Sequence, residues 1–321
     1  MEPLVSILCV TFNHKDYIRR ALDSFLAQQT SFPFEIIIHD DASTDGTSDI
    51  LREYQAKYPE IIIPYLQTEN QYSKPDYHSM YDFIFPIARG KYFAHCDGDD
   101  YFSDPLKLER QVAYMEANPD CSIVTHRALW HVEGTDGSRD FAYPADEEER
   151  DFGIREIFVD GDGKFATNSF LLRAEVNKSV PDAFYVRGVG DYTLLLYAAV
   201  SGRCHYLPEV MSVHNDGVPG SWTVNNMADP EKRVRQDNIV IDMLRTVDAY
   251  YEGRYHAEAE EAIAKRAHFR DEEHFAALMH LGRRAEARKL YPERFRRERI
   301  ASVKRRLPFL AGLLDRLEKK A

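Results

Sequence analysis

The sequence has no long uninterrupted apolar run. Its N-terminal stretch from Leu4 to Phe12 is broken by Ser6 and Thr11. It is too short to span a bilayer and lacks both a charged leader and a small-residue cleavage site, so it reads as a buried strand. No other stretch is long enough to cross a membrane. Cysteine is scarce. Cys9, Cys96, Cys121 and Cys204 lie far apart, and no CxxC pair occurs. That spacing argues against a zinc site and fits reduced, buried thiols in a cytoplasmic protein. An excess of positive charge is also missing: 41 basic residues face 53 acidic ones, a net −12. Such acidic bulk argues against nucleic acid as the main partner. The imbalance is uneven. Between Arg283 and Lys320, 14 Lys/Arg meet 5 Asp/Glu, a local +9 that leaves −21 for the rest.

What is present is an alternation. Leu4–Val10 reads as a strand. Tyr17–Gln28 carries Ile18, Ala21, Leu22, Phe25 and Leu26 at helical spacing. Strand Glu35–His39 follows, then a turn at Asp40–Gly46 in which Ser43 or Thr44 is placed to cap a helix reaching about Tyr58. Ile61–Leu66 is a third strand, Tyr77–Ala88 a helix, and Tyr92–Cys96 a fourth strand. Asp104 as cap and Pro105 at the first helical position open a helix to about Asn118. Cys121–Trp130 is a further strand. Gly134–Asp162 is polar and acidic and reads as a long surface loop. Gly188–Ser201 reads as a helix, followed by strand His205–Val213. Past Asn226 only helical patterns remain. The expected division is therefore residues 1–225 as an α/β domain and 226–321 as a helical C-terminal region.

Alternating strand and helix build βαβ units and a mostly parallel sheet flanked by helices. Ligands of such sheets bind beyond the carboxyl ends of the strands. That rule selects Thr11–His14, Asp40–Asp45 and Asp97–Asp100. The segment Cys96-Asp97-Gly98-Asp99-Asp100 sets carboxylates two residues apart, with Gly98 permitting a tight turn. Carboxylates this close repel one another unless a cation joins them. Hard oxygen ligands suit Mg2+ or Mn2+, and such an ion keeps positions open for phosphate oxygens. The plain alternative is a solvated acidic turn, since a bare DxD is common. Asp40-Asp41-Ala42-Ser43-Thr44-Asp45 follows the second strand. A carboxylate there suits the imide N–H of a base, while Ser43 and Asp45 equally suit helix capping.

These stretches carry a resemblance. The chain resembles inverting glycosyltransferase family two, of the GT-A nucleotide-sugar-binding fold and bacterial polysaccharide type. The likeness covers residues 4–131. It runs through Val5-Ser6-Ile7-Leu8-Cys9-Val10-Thr11-Phe12-Asn13, Asp40–Thr47, Gly90–Tyr101 and Asp104-Pro105-Leu106-Lys107-Leu108 with Gln111. The resemblance implies that Thr11, Asn13 and Asp41 hold the nucleoside, most often uridine. Asp97 sits near the ribose or the metal, and Asp99 binds the metal bridging the diphosphate. It places the general base at Asp191, within Gly188-Val189-Gly190-Asp191-Tyr192, where Gly190 replaces the usual Glu. Asp191 could instead serve as a helix cap. His214, in Val213-His214-Asn215, stands where relatives carry a Tyr-Arg-x-His segment. It is a metal ligand, a donor to phosphate, or a structural histidine. Thr167, Asn168 and Ser169 resemble a stretch near the acceptor pocket. Trp222 suits stacking on a sugar or base, or a place in the core. His39, His95 and His126 read as packed, and Lys74 as a phosphate contact or part of a loop.

Arg294–Arg306 is strongly basic, and Val303, Leu307, Leu310, Leu314 and Leu317 recur every three to four residues around Pro308. This end suits either an anionic membrane near a lipid-linked acceptor or docking against protein, including a second copy. The expected activity is metal-dependent transfer of a sugar from a UDP-sugar to an acceptor hydroxyl of a glycan. The expected location is the cytoplasm or the inner membrane face. A sugar nucleotidyltransferase would carry a glycine-rich loop after the first strand, and Thr11-Phe12-Asn13-His14-Lys15 has no glycine. A non-catalytic nucleotide-sugar-binding or scaffold protein would not need Asp41, Asp97, Asp99 and Asp191 together.

Overall fold

The computed structural model describes residues 2–74, 80–186, 188–227 and 229–306. Strand β1 (Val5–Thr11) is buried along nearly its whole length, as a strand covered on both faces must be. Helix α1 (Ile18–Leu26) turns Ile18, Ala21, Leu22 and Phe25 inward. Strand β2 (Phe34–Asp40), helix α2 (Thr47–Lys57) and strand β3 (Ile62–Leu66) complete the first units. Strands β4 (Tyr92–His95) and β5 (Tyr101–Phe102), helix α3 (Lys107–Ala117) and strand β6 (Cys121–Val132) follow. Next come β7 (Phe141–Tyr143), β8 (Arg150–Phe152), α4 (Ile154–Asp160), β9 (Leu171–Arg173), α5 (Ala174–Lys178), α6 (Gly190–Ser201) and β10 (Arg203–Asp216). The remainder is helical: α7 (Trp222–Met227), α8 (Pro230–Tyr250), α9 (His256–His280), α10 (Arg284–Leu290) and α11 (Pro292–Arg306).

One sheet runs through the molecule in the order β3-β2-β1-β4-β9-β6-β10-β5, with β7 alongside β6 and β8 alongside β10. The long ladders, β1 with β2 and β6 with β10, are parallel. The antiparallel members β5, β7, β8 and β9 are two or three residues long. Because β9 runs against both β4 and β6, β1, β2, β4, β6 and β10 all point the same way. Their carboxyl ends therefore share one edge.

The two main apolar cores pack on opposite faces of the sheet: Val124 and Leu171 belong to one, their strand neighbours Ile123 and Leu172 to the other. One gathers β1, β2 and β4 with α1, α2 and α3, through residues such as Ile7, Cys9, Leu22, Phe25 and Met115. The other joins Phe158, Tyr192, Leu195 and Tyr206 to Val240, Met243, Leu244 and Ala262 of α8 and α9. All four cysteines are buried and unpaired. Among the described residues, no helix is long and apolar enough to cross a membrane.

Several sequence expectations need correction. Gly134–Asp162 is not one loop: it contains β7, β8 and the helix α4. Its acids are spent on partners, Asp146 on Arg150 and Glu149 on His205, so polarity concealed secondary structure. The helix expected over Tyr77–Ala88 is a single π turn, Met80–Ile84, within the described residues; residues 77–79 lie outside them. Helix α3 starts at Lys107, two residues later than expected. Asp104 Oδ1 takes the Leu106 amide at 2.8 Å and the Asp104 carbonyl takes that of Lys107, so a turn precedes the helix. Helix α2 is capped by neither Ser43 nor Thr44. Asp45 Oδ1 takes the amide and hydroxyl of Thr47. The C-terminal leucines from Leu307 onward, with Pro308, lie outside the described residues.

Lys107 itself is fully buried. Its ammonium donates to Gln111 Oε1 at 2.8 Å and lies 4.2 Å from the centre of the Phe102 ring. Burial lowers its pKa to about 7.

Candidate active site

The carboxyl edge of the sheet gathers the loops after β1, β2 and β4 and the end of β10, and each delivers a residue singled out in the sequence. The loops after β1 and β2 are laced together. Ser43 Oγ takes the Asn13 amide at 2.8 Å, Asn13 Oδ1 takes the Thr44 amide at 2.8 Å, and Asp45 Oδ2 takes the Lys15 amide at 2.9 Å. Asn13 and Ala42 adopt positive φ to make these turns, a conformation Asn tolerates better than most residues. The Asn13 side chain thus holds the neighbouring loop. Asp41 is buried, and its two oxygens take the amides of Gln71 at 2.7 Å and Tyr72 at 2.9 Å. Its visible work is to fasten loop 69–74 over the end of β2. Lys74 pairs within that loop with Gln71 and Glu69.

Thr11 ends β1 with a buried hydroxyl that has no hydrogen-bond partner. Against it rests Gly98. A Cβ on Gly98 would come within 2.7 Å of Thr11 Oγ1, 2.8 Å of Thr11 Cβ and 3.0 Å of Ile18 Cδ1. The glycine between the two aspartates is therefore required for close approach, not for an unusual φ.

Asp97 and Asp99 are half-buried at the start of the crevice. Burial raises the pKa of Asp97 well above the ordinary carboxylate value, and the charges of Asp99 and Asp100 add to this. Burial also raises Asp99, opposed by the nearby His14, whose Nε2 is 3.7 Å away. Two crowded carboxylates held above their ordinary pKa are short of positive charge, and a divalent cation would relieve both. Among the described residues no three His, Cys, Asp or Glu side chains close into a ready-made cage. The pair suits an ion that keeps phosphate oxygens and water as its remaining ligands, as Mg2+ and Mn2+ do.

Asp100 is the fully engaged member of the trio. It is buried, takes the Asn215 amide on Oδ1 at 2.8 Å, and meets Asn168 Nδ2 and His214 Nδ1, each at 3.0 Å, on Oδ2. Asn168 also donates to the Val213 carbonyl and accepts from Ser212 Oγ. It is buried scaffolding, not the acceptor contact suggested by its short polar neighbourhood. Ser169 is likewise buried. Burial works against charge on His214, but Asp100, with Asp99 and Asp216 farther down the order, outweighs it and raises the pKa to about 9. Trp130, at the end of β6, meets the His214 ring edge-on at 4.4 Å between centroids. Sequence reasoning passed over Asp100, His14 and Trp130. The run Asp99-Asp100 contained a signal for the first, but its partner His214 lies 114 residues farther along the chain.

Asp191 lies in the first turn of α6, where Val189 is the cap residue. It is not the cap. One oxygen meets the Tyr192 amide at 2.8 Å, while the side chain remains open to solvent. Protein packed around it nevertheless raises its pKa, and Asp162 reinforces the effect. The charge of Asp191 bears on Asp97. Trp222 opens α7 and packs near Gly188. His39 is buried and stacked on Tyr65, His95 meets Asn177, and His126 is buried.

The strand order and the crevice at the carboxyl edge define the GT-A class of α/β fold. The chain belongs to glycosyl transferase family 2, whose model matches residues 6–173. It is 37% identical over 218 residues to an uncharacterised protein of Mycobacterium tuberculosis, a match covering 68% of this chain and 60% of that relative's length. A glycosyltransferase assigned to teichuronic acid biosynthesis in Bacillus subtilis is 36% identical over 135 residues, 42% of this chain and 50% of that one. Among solved structures, Staphylococcus aureus TarS residues 1–349 with UDP-GlcNAc superposes with a TM-score of 0.57 at 18% identity, over 76% of this chain and 66% of that one. At that identity the likeness concerns the fold.

Proposed function

We propose that this chain is a metal-dependent inverting glycosyltransferase that moves a sugar from a UDP-sugar to an acceptor hydroxyl in cell-surface glycan synthesis. The observation that carries the reading is the gathering of the Asp97–Asp100 turn and His214 at the carboxyl edge of the sheet, tied by the Asp100–His214 and Asn215–Asp99 hydrogen bonds, with the charge of Asp191 bearing on Asp97.

Thr11, with its unpartnered hydroxyl, and the Asn13–Thr44 and Asp41–Tyr72 ties shape the nucleoside end of the crevice. Asp99 and Asp97 hold Mg2+ or Mn2+, which when bound neutralises charge on the diphosphate leaving group. His214, its charge supported by Asp100, would donate to a phosphate oxygen, and as neutral imidazole it would instead help to hold the metal. Asp191 takes the proton of the acceptor hydroxyl as that oxygen attacks the anomeric carbon. A raised pKa makes it a better base than an ordinary surface aspartate, while one amide hydrogen bond keeps it aimed. Attack opposite the leaving group in a single displacement inverts the anomeric centre. Residues 1–225 carry these groups, and beyond them the described residues up to Arg306 are helical. The basic end of that region is assigned to an anionic membrane face near a lipid-linked acceptor, or to a second copy.

The test is release of nucleoside diphosphate from a panel of nucleotide sugars with Mn2+, Mg2+ or EDTA. Metal-dependent release from one UDP-sugar, absent in Asp99→Asn, supports the reading. No release from any donor, together with no calorimetric binding of UDP and Mn2+, rejects it.

A further inference from the structure

A pocket of about 360 Å3 lies between α4, the turn after it, α6, α8 and α9. Tyr192, Asp160, Asp162, Lys265, Arg266 and Phe269 are among its walls. Tyr192 directly follows Asp191 in α6, and Asp162 is the charge that most strongly reinforces the raised pKa of Asp191. The pocket thus adjoins the first turn of α6, which carries the proposed base.

The chemistry of the walls is specific. Each cation has a carboxylate: Lys265 pairs with Asp160, Arg266 with Asp162 and, at 2.8 Å, with Asp237, and Lys164 with Asp146 at 3.8 Å. An anionic ligand would meet charge already cancelled. A hydroxyl-rich neutral ligand would not, because each hydroxyl both donates and accepts and finds a carboxylate and a cation side by side. Arg266 Nε lies close to Asp237 but off hydrogen-bond alignment, and it remains a buried donor without an acceptor. Phe269 is 48% exposed at the rim. Its face offers an apolar platform of the kind that the C–H side of a sugar ring can cover.

We propose that this pocket seats an uncharged sugar ring of the acceptor, next to the ring whose hydroxyl Asp191 deprotonates. This rests on the transferase reading and adds a substrate class to it. The walls come from α4 and the turn after it, inside the family-matched residues 6–173, and from α6, α8 and α9 beyond them, so acceptor choice would draw on both parts of the chain.

The full chain would be screened by saturation-transfer NMR against neutral and anionic oligosaccharides. Wild type, Phe269→Ala and Phe269→Tyr would be compared, each checked by its melting temperature. The expected result is binding of neutral oligosaccharides, weakened about tenfold in Phe269→Ala and restored in Phe269→Tyr. Binding of anionic oligosaccharides alone, no binding, or neutral binding indifferent to Phe269→Ala would overturn the proposal. UDP-sugar hydrolysis by wild type without any acceptor is measured in parallel. Its absence counts against the transferase reading, whereas the NMR result reports on the pocket alone.

Discussion

Asp100 holds His214 by its ring: Oδ2 of the aspartate lies 3.0 Å from the imidazole Nδ1, while Oδ1 takes the Asn215 amide at 2.8 Å. The ring is fixed in orientation and kept charged by one buried carboxylate. Replacing Asp100 with Asn keeps the shape and removes the charge. The His214 pKa should then fall from about 9, since burial works against its charge and only Asp99 and Asp216 remain to support it. Nucleoside diphosphate release should drop by about ten- to a hundredfold, the usual cost of losing the group that orients a site residue. NMR titration of the His214 ring reads the first effect and steady-state kinetics the second. An unchanged titration curve would show that Asp100 does not set the charge.

Gly98 touches Thr11 so closely that even a methyl group has no room. Gly98→Ala should destabilise the chain by about 1–3 kcal/mol through overpacking. Thr11→Ala should recover part of that loss when combined with it. The Cβ of Thr11 remains in the double variant, so full recovery is not expected. Urea denaturation of the two single variants and the double variant measures the coupling.

Asp99 and Asp191 should fail in different ways. Asp99→Asn removes a carboxylate from the proposed cation pair and should abolish metal-dependent donor binding, read by calorimetry with UDP and Mn2+. Asp191→Asn should leave that binding near wild type and lower transfer by about 10²–10⁴-fold, the range for a general base. Loss of UDP binding in Asp191→Asn would contradict the assignment.

Lys107 supplies the clearest pH dependence of stability. Its folded pKa, about 7, lies below the unfolded value of 10.5. Between these values the unfolded chain binds more protons, so stability must rise with pH. Raising the pH from 7 to 9 should add about 2 kcal/mol to wild type relative to Lys107→Met. At pH 7 the methionine variant should already be the more stable, having no ammonium to desolvate. Denaturant midpoints at pH 7, 8 and 9 decide this. Parallel pH profiles for the two proteins would refute the buried-charge account.

The first half of the fold was legible because its signals are local. β1 is a continuous apolar run, α1 shows its buried face in the spacing of Ile18, Ala21, Leu22 and Phe25, and the Asp97-Gly98-Asp99 turn lies within three residues. The second half depends on long-range partners. β7, β8 and β9 are too short to show alternation, and they exist because β6, β10 and β4 offer them edges. The same holds within the site. Asp97, Asp99 and His214 were found by position along the chain. Asp100 as the anchor of His214, Asn168 as its support and Asp41 as a loop fastener emerge only from contacts between residues far apart in sequence.

The helices α8 and α9 lend Val240, Met243, Leu244 and Ala262 to the core that also holds Tyr192 and Leu195 of α6. A ribosome delivers these pieces in order, α6 first. Until α9 emerges, the helix carrying Asp191 lacks one wall of its packing, while the β1–β2–β4 half already has its own core. The donor side of the crevice is therefore free to mature during synthesis. The proposed base must wait for α9, so on the proposed reading a nascent or truncated form should bind nucleotide before it can transfer sugar.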